Sequence, residues 1–285
     1  MSGALPLLVD GAWLEARLGN PSLRVIDASW YLASEKRDAR AEYRAAHIPN
    51  AVYLDLSVDL ADPDAPVRNT LAAPDALAGR LGSAGISNAH DVVIYDRKAG
   101  YSAGRIWWIL RYLGHRRAAL LDGGFERWCA EGRRQSREAV TLEAHDFVAA
   151  PEPAWLSSSA DVASSLEREE VRILDARSSE RFRGEGPEPA RHAGHIPGAR
   201  NLPWSDNLHG DPDRFRPIPE LRKLYEDAGV RFDAPVITTC GSGVTAALEA
   251  FLLTLAGHPE VSVYDGSWAE WGNADGFPIE TGPAR

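Results

Sequence analysis

The chain carries one pattern twice. Val25-Ile26-Asp27-Ala28 recurs as Ile173-Leu174-Asp175-Ala176, and His47-Ile48-Pro49 recurs as His195-Ile196-Pro197, each 148 residues later. The landmarks keep their order, and the period far exceeds the roughly 20–50 residues of solenoid repeats. A chain of 285 residues has room for two domains. We therefore expect a duplicated domain.

Each half alternates short β-branched stretches with helical patterns, which indicates an α/β fold with a mainly parallel sheet flanked by helices. Residues 136–156 are polar and contain two prolines, which favours a linker. The expected division is a first domain at 1–135, a linker at 136–156 and a second domain at 157–285. Strands are predicted at 24–27, 52–54, 92–95, 119–121, 172–174, 200–201, 236–239 and 261–264. Helices are predicted at 10–18, 74–81, 102–113, 125–131, 159–167, 218–228, 244–255 and 267–271.

Composition restricts the partners. The net charge of −10 argues against nucleic acid or an anionic membrane as a main partner. Two cysteines cannot form a disulfide framework, which favours a reducing compartment. Leu5 to Val9 is too short for a signal peptide, and no apolar stretch approaches the ~20 residues that cross a bilayer. We expect a cytoplasmic protein.

The strongest chemical signal is a cysteine between a strand and a helix. Cys240 follows the β-branched stretch Val236–Thr239 and precedes Gly241, Ser242 and Gly243, after which a helical pattern begins at Val244. Glycines allow a tight turn that aims backbone N–H groups inward, and the positive end of the helix points to the same place. Cys240 is therefore expected to be a thiolate nucleophile, in a cradle formed by Gly241, Ser242, Gly243, Val244 and Thr245. The alternative is an inert buried cysteine, which the glycine loop disfavours.

This loop resembles the active-site loop of the rhodanese superfamily. The repeated aspartates and His-Ile-Pro turns match the same family, so the resemblance covers nearly the whole chain and implies two tandem rhodanese-like domains. The Gly-Ser-Gly version resembles the 3-mercaptopyruvate sulfurtransferases, because thiosulfate-using rhodaneses usually carry basic residues after the cysteine. The resemblance implies that a Cys240 persulfide moves sulfur from 3-mercaptopyruvate to a thiol, cyanide or a thioredoxin-like protein, releasing pyruvate. Thiosulfate is the alternative donor, and neither a cofactor nor a metal is implied.

The first half lacks the nucleophile. By strand register, the position of Cys240 is held by Asp96, and the loop that follows it is one residue longer. An aspartate cannot accept sulfane sulfur and release it again. We therefore expect the first domain to be non-catalytic, a structural or substrate-shaping partner.

The resemblance also implies further site residues. Ser242 is expected to polarise or protonate the donor with a His–Asp pair, for which the matching residues are His47 and Asp38. Because His195 occupies the same turn in the second half, a structural role for His47 is the favoured alternative.

A keto-acid donor needs a carboxylate clamp, which an arginine fork supplies. By motif position the substrate-binding residues are Arg181 and Arg191, although the family's Glu-Pro-Arg is interrupted here by Ala190. Arg177 is expected to be structural, joining a strand end to a neighbouring loop.

Two rival functions remain. A cysteine-dependent phosphatase would need a phosphate-binding arginine at position 246, where this chain has Ala246. A non-catalytic binding module of the same fold would not need an intact Cys240 and Gly-Ser-Gly loop.

Overall fold

A computed structural model describes residues 5–168 and 170–284, which form two compact units. The first unit holds the described residues up to Pro63, together with Ala72–Pro151 and His209–Phe215. The second holds Asp64–Leu71, Glu152–Leu208 and the described residues from Arg216 onward.

The elements follow in close alternation. The strands are β1 (Leu8–Val9), β2 (Leu23–Asp27), β3 (Ala51–Tyr53), β4 (Asp91–Tyr95), β5 (Ala118–Leu121), β6 (Leu156–Ser157), β7 (Arg172–Asp175), β8 (Arg200–Asn201), β9 (Leu208–His209), β10 (Arg214–Phe215), β11 (Val236–Thr239) and β12 (Val261–Tyr264). The α-helices are α1 (Gly11–Glu15), α2 (Ala39–Ala45), α3 (Pro74–Ser83), α4 (Ala103–Tyr112), α5 (Gly124–Ala130), α6 (Ser159–Ser165), α7 (Ser179–Arg183), α8 (Ile218–Asp227), α9 (Val244–Leu255) and α10 (Ser267–Trp271). Short 3₁₀ helices cover Ala33–Glu35, Pro153–Trp155 and Trp204–Asn207.

Both units contain a five-stranded parallel sheet with the same strand order. The first runs β1-β5-β4-β2-β3 and the second β6-β12-β11-β7-β8. The duplication and the α/β fold class are thereby confirmed. Tyr95 lies opposite Asp27 in one sheet, and Thr239 lies opposite Asp175 in the other. The next residues, Asp96 and Cys240, therefore leave their sheets at equivalent carboxyl ends, where ligands bind in open parallel sheets.

Helix α9 fixes the position of the loop that precedes it. Its residues from Val244 to Leu253 are all buried, including Leu248, Phe251 and Leu252 at 0% exposure. Each fully buried side chain of this size contributes about 1.5–3 kcal/mol. The first turn of α9 is therefore held firmly against the sheet of its own unit.

The stretch expected to be a linker makes regular contacts with the first unit. Ser136 exchanges two backbone hydrogen bonds with His47. Farther along, the His145 N–H donates to the Gly82 carbonyl at 3.0 Å, and the Ala150 N–H donates to the Leu113 carbonyl at 3.0 Å. These bonds satisfy backbone groups that a free linker would expose to water.

Candidate active site

Cys240 lies between β11 and the turn that starts α9. Gly243 is the N-cap of α9 and adopts a left-handed conformation with φ 76° and ψ −5°, which glycine reaches without steric strain. Gly241 does not have a positive φ, so the left-handed conformation that favours glycine is needed in this turn at Gly243 and not at Gly241. Cys240 is 3% exposed, whereas Gly241 and Ser242 are half-buried.

The loop is anchored by its carbonyl groups. The Cys240 carbonyl accepts a hydrogen bond from the Trp268 N–H, and the Gly241 carbonyl accepts one from the Ala269 N–H, both at 2.9 Å. In a trans peptide the N–H points away from the C=O of the same unit. The Gly241 and Ser242 N–H groups therefore point away from α10.

Several hydrogen-bond donors of the loop have no partner among the residues that the structure describes. Within the part of the chain that the structure describes, the backbone N–H groups of Gly241, Ser242, Val244 and Thr245 donate to no acceptor. The side-chain hydroxyls of Ser242 and Thr245 likewise form no hydrogen bond to a described residue. Unpaired donors at the start of a helix favour an anion beside them.

The equivalent loop of the first unit holds an anion of its own. The Asp96 carboxylate accepts backbone N–H bonds from Lys98, Gly100, Ser102 and Ala103 at 2.7–2.9 Å. The Ser102 hydroxyl adds a fifth bond at 3.2 Å, and Asp96 is 1% exposed. A loop at this position of the fold thus directs several donors at the side chain that follows the strand.

Arg181 lies against the cysteine loop. Its guanidinium makes a two-point bond to Glu188, with Nε to Oε2 at 3.1 Å and Nη2 to Oε1 at 2.9 Å. A Cβ atom added to Gly241 would lie 3.1 Å from Arg181 Nη2 and 3.3 Å from Nη1. The absence of a side chain at Gly241 therefore leaves room for this guanidinium.

Arg191 has different surroundings. Its Nη1 donates to Asp275 at 2.8 Å, and the two side chains are 60% and 84% exposed. Its backbone N–H donates to Asn273 Oδ1 at 2.8 Å. Exposed ion pairs of this kind contribute about 0–1 kcal/mol. The structure thus brings Arg181, but not Arg191, into contact with the loop.

His47 and Asp38 have local partners in the first unit. Asp38 caps α2 by accepting the Ala41 N–H at 2.9 Å. The His47 Nδ1 lies 2.8 Å from the Tyr43 carbonyl, so Nδ1 carries a proton, and the ring stacks on Tyr43. No hydrogen bond joins Asp38 to His47 among the described residues.

The repeated histidine of the second unit behaves in the same way. The His195 Nδ1 lies 2.8 Å from the Phe182 carbonyl, and its ring stacks on Phe182. The shared arrangement supports the structural alternative for His47, whose part in the chemistry stays a prediction.

Sequence reasoning missed two residues of this region. Glu188 binds both Arg181 and Arg177, and its signal was its place between arginines in the Glu-Pro motif. Ser267 holds the cysteine backbone, because its hydroxyl accepts the Cys240 N–H at 3.1 Å and donates to the Tyr264 carbonyl at 2.8 Å. No local pattern indicated Ser267.

The remaining candidates are less suited to chemistry. Burial and the neighbouring Glu126 raise the pKa of the Cys129 thiol, which favours its neutral form. Arg177, expected to be structural, is buried and bonded to Asp175.

Within residues 5–168 and 170–284, no cluster of three or more His, Cys, Asp or Glu side chains could hold a metal ion.

Comparison with known proteins shows that both halves of the chain match the same domain family. The model of the rhodanese-like domain matches residues 10–131 and 158–274. The chain is 37% identical over 272 residues to 3-mercaptopyruvate sulfurtransferase of Rattus norvegicus, covering 93% of this chain and 91% of the relative. It is 38% identical over 275 residues to thiosulfate sulfurtransferase of Mus musculus, with coverage of 93% and 91%. The crystal structure of SseA, a 3-mercaptopyruvate sulfotransferase of Escherichia coli, superposes with a TM-score of 0.84 at 32% identity, covering 92% of this chain and 99% of that one.

Proposed function

Since the chain belongs to the rhodanese family and is a sulfurtransferase, we propose that it takes sulfur from 3-mercaptopyruvate and carries it as a persulfide on Cys240. The observation that carries this proposal is the pair of equivalent loops. One loop directs five donors at the Asp96 carboxylate. The other places Cys240 next to backbone N–H groups that donate to no residue in 5–168 or 170–284.

The first half-reaction is a nucleophilic displacement at sulfur. The Cys240 thiolate attacks the thiol sulfur of the donor, forming an S–S bond while the donor's C–S bond breaks. The electron pair of that bond stays on carbon as the enolate of pyruvate, which takes up the proton of the former thiol. The products are pyruvate and the Cys240 persulfide anion.

In the second half-reaction an acceptor nucleophile attacks the outer sulfur. A thiolate leaves as a persulfide and cyanide leaves as thiocyanate, and the electron pair of the S–S bond returns to Cys240 as its thiolate. The N–H groups of Gly241, Ser242, Val244 and Thr245 stabilise both sulfur anions. Removing one such donor from a catalytic site typically lowers the rate about 10²–10³-fold.

The donor is inferred from the charge next to the sulfur. The loop Gly241 to Gly243 carries no charged side chain, and Arg181 lies against it with 31% of its side chain exposed. One arginine suits a single carboxylate, whereas thiosulfate is a dianion. Thiosulfate remains the second candidate donor, supported by the likeness to the mouse thiosulfate sulfurtransferase.

The other residues carry smaller proposals. Ser242 is the donor-polarising hydroxyl, supported by its position on the loop without a described partner. His47, Asp38 and Arg191 remain predictions, and alanine variants of each belong in the kinetic series below. The division into domains at 1–135 and 157–285, with a linker at 136–156, also remains a proposal.

Location and acceptor follow from the thiol chemistry. We infer that the protein works in the cytoplasm and passes sulfur to a small thiol, to cyanide or to a thioredoxin-like protein. Cys129 and Cys240 are both free, as a reducing compartment requires. No helix in residues 5–168 or 170–284 is long and apolar enough to cross a membrane.

The proposed function is tested by following sulfur onto the protein. After incubation with 3-mercaptopyruvate and removal of the donor, mass spectrometry should show one added sulfur atom on Cys240, with stoichiometric pyruvate. Cys240→Ser should acquire no sulfur and transfer none. A wild-type protein that stays unmodified by both donors would point to a binding module.

Kinetics then test the donor assignment. Arg181→Ala should raise KM for mercaptopyruvate about tenfold or more, because a charge-assisted bond is lost, and should raise KM for thiosulfate less. Arg183→Ala is the matched control, since Arg183 is exposed on the same helix and forms only a loose ion pair with Glu185, at 3.9 Å. Equal effects of Arg181→Ala on both donors would count against the carboxylate clamp.

A further inference from the structure

Glu188 lies between two arginines. Its Oε1 accepts from Arg181 Nη2 at 2.9 Å, and its Oε2 accepts from Arg181 Nε at 3.1 Å and from Arg177 Nη1 at 3.0 Å. The Glu188 side chain is 5% exposed. Two-point bonds between ionised groups fix orientation as well as distance. Glu188 therefore determines where the Arg181 guanidinium lies.

The far end of this network is anchored in the sheet. Arg177 is 1% exposed on its side chain and bonds to Asp175 through Nε and Nη2, and Nη2 also donates to the Gly194 carbonyl at 2.8 Å. Asp175 ends β7 beside Thr239, the residue that precedes Cys240. A continuous series of ion pairs, Asp175–Arg177–Glu188–Arg181, thus runs from the sheet to the loop.

The series restricts how Arg181 can bind a donor. Glu188 binds the edge of the guanidinium formed by Nε and Nη2. The third nitrogen, Nη1, makes no hydrogen bond or ion pair with any residue that the structure describes. Nη1 is also the atom 3.3 Å from the position of a Cβ on Gly241. A donor carboxylate can therefore be bound only end-on, through Nη1 and the remaining N–H of Nη2.

The series also sets the charge beside the loop. Two carboxylates and two guanidiniums sum to zero, so the positive charge of Arg181 is balanced within its own network. Local charge acts strongly at such short distances in a partly buried site. A balanced network favours a monoanionic donor group over a dianion, which would gain from an additional positive charge.

We propose that Glu188 is a positioning residue that sets donor selectivity through Arg181, by presenting its Nη1 end to a carboxylate and by cancelling the excess charge that would attract thiosulfate. This inference rests on the proposed function.

The test is Glu188→Gln, which keeps the shape and removes the charge. KM for mercaptopyruvate should rise and KM for thiosulfate should fall, changing the ratio of kcat/KM for the two donors about tenfold or more toward thiosulfate. Glu185→Gln is the matched control, because Glu185 lies in the same segment, 60% exposed and only loosely paired with Arg183. If Glu188→Gln lowers kcat/KM for both donors by the same factor, the effect is a general structural defect and the proposal is overturned.

A double-mutant cycle tests whether Glu188 acts through Arg181. In the Arg181→Ala background, Glu188→Gln should have no further effect on KM for mercaptopyruvate. An undiminished effect there would overturn the proposal, while a wild-type protein that uses neither donor would instead overturn the proposed function.

Glu188→Asp gives a second route if the glutamine variant does not fold. It keeps the charge but shortens the side chain by one methylene, so the two-point bond to Arg181 is lost. KM for mercaptopyruvate should rise about tenfold while KM for thiosulfate stays unchanged. Wild-type KM for mercaptopyruvate in this variant would overturn the proposal.

Discussion

The two loops of this molecule occupy the same place in the same sheet and differ in what fills them. Asp96 and Cys240 both follow a central strand. Both carbonyls accept an N–H from the first turn of the helix that follows the neighbouring strand, from Phe125 of α5 at 2.8 Å and from Trp268 of α10 at 2.9 Å. In the first unit a carboxylate takes the loop donors permanently. In the second, we propose that Cys240 gains and loses a sulfur beside the N–H groups of its own loop. The two units thus share the loop position and differ in the side chain that follows the strand, Asp96 in one and Cys240 in the other.

A second difference lies where these helices begin. Gly124 is left-handed with φ 56°, and a Cβ there would lie 2.3 Å from the Asp96 carbonyl oxygen. Ser267 also has a positive φ, 49°, although it carries a side chain. Its two hydrogen bonds to the backbone of Cys240 and Tyr264 offset that strain. A strained backbone in the unit that holds Cys240, with an unstrained glycine at the equivalent place in the other unit, is typical of functional sites and agrees with the proposed role of Cys240.

The largest stability effect is expected at Asp96. Asp96→Ala should lower the free energy of unfolding by about 3–5 kcal/mol, because three buried N–H groups, one partly buried N–H group and a hydroxyl lose their acceptor together. Denaturant unfolding measures this change. Asp96→Asn is the control, since its amide oxygen still accepts part of the set. A loss below about 1 kcal/mol would mean that the donors are not essential to the first unit.

The next effect concerns a buried acid in the second unit whose counterpart in the first unit is apolar. Glu249 is 0% exposed. Its carboxyl group accepts hydrogen bonds from the Tyr225 hydroxyl at 2.7 Å and from the Asn207 side-chain amide at 2.8 Å. The equivalent residue of the first unit, 143 positions earlier, is the buried Ile106. Burial raises the pKa of Glu249 to about 8. The folded state thus keeps a proton that the unfolded chain loses near its ordinary pKa of 4.5. Stability from this group is present below pH 4.5 and is lost as pH rises through about 8.

Glu249→Gln should therefore remove a pH-dependent loss of about 2–4 kcal/mol between pH 5 and pH 8. Unfolding of wild type and variant across this range measures the difference. Parallel pH profiles for the two proteins would show that Glu249 does not bind its proton more tightly in the folded state.

The smallest effect compares the two loops directly. The Cys240→Asp variant carries in the second loop the aspartate that occupies the first loop. Its free energy of unfolding should exceed that of Cys240→Ser by about 1–2 kcal/mol, because the new carboxylate accepts hydrogen bonds from the loop N–H groups. Thermal unfolding of these two variants measures the difference without any sulfur donor. A Cys240→Asp protein less stable than Cys240→Ser would show that the second loop does not stabilise an anion.

Much of the fold was accessible from local patterns. The strands Val236–Thr239 and Val261–Tyr264 and the helices Val244–Leu255 and Ser267–Trp271 were predicted with their observed limits, because β-branched stretches and glycine turns act locally. The helix predicted at 10–18 ends already at Glu15. Helix α7 was missed because its single buried residue, Phe182, gives no periodic signal. The two-residue edge strands Leu8–Val9 and Leu156–Ser157 are too short to show a period.

The residues of the candidate site also fall into those that sequence motifs predicted and those that they did not. A motif identified Cys240 and its loop, and motif position also indicated Arg181, which the structure places against Gly241. Motif position could not show that Arg191 pairs with Asp275, or that Asp38 caps a helix rather than binding His47. Side-chain partners depend on which segments pack together, and a motif holds no information about that.

By itself, the sequence determined the duplication, the alternation of strands and helices, and a cysteine where a strand turns into a helix, because these depend on neighbouring residues. Only the tertiary structure decided that the Asp96 carboxylate binds the N–H groups of its own loop, that Ser267 bonds to the Cys240 backbone and that Arg181, paired with Glu188, lies beside Gly241. The contacts of Ser267 with Cys240 and of Arg181 with Gly241 join segments far apart in the chain, whereas Asp96 and Glu188 bind residues a few positions away, through turns that no sequence pattern indicated. The geometry of these contacts is set by tertiary packing, because a close-packed interior allows each side chain few positions.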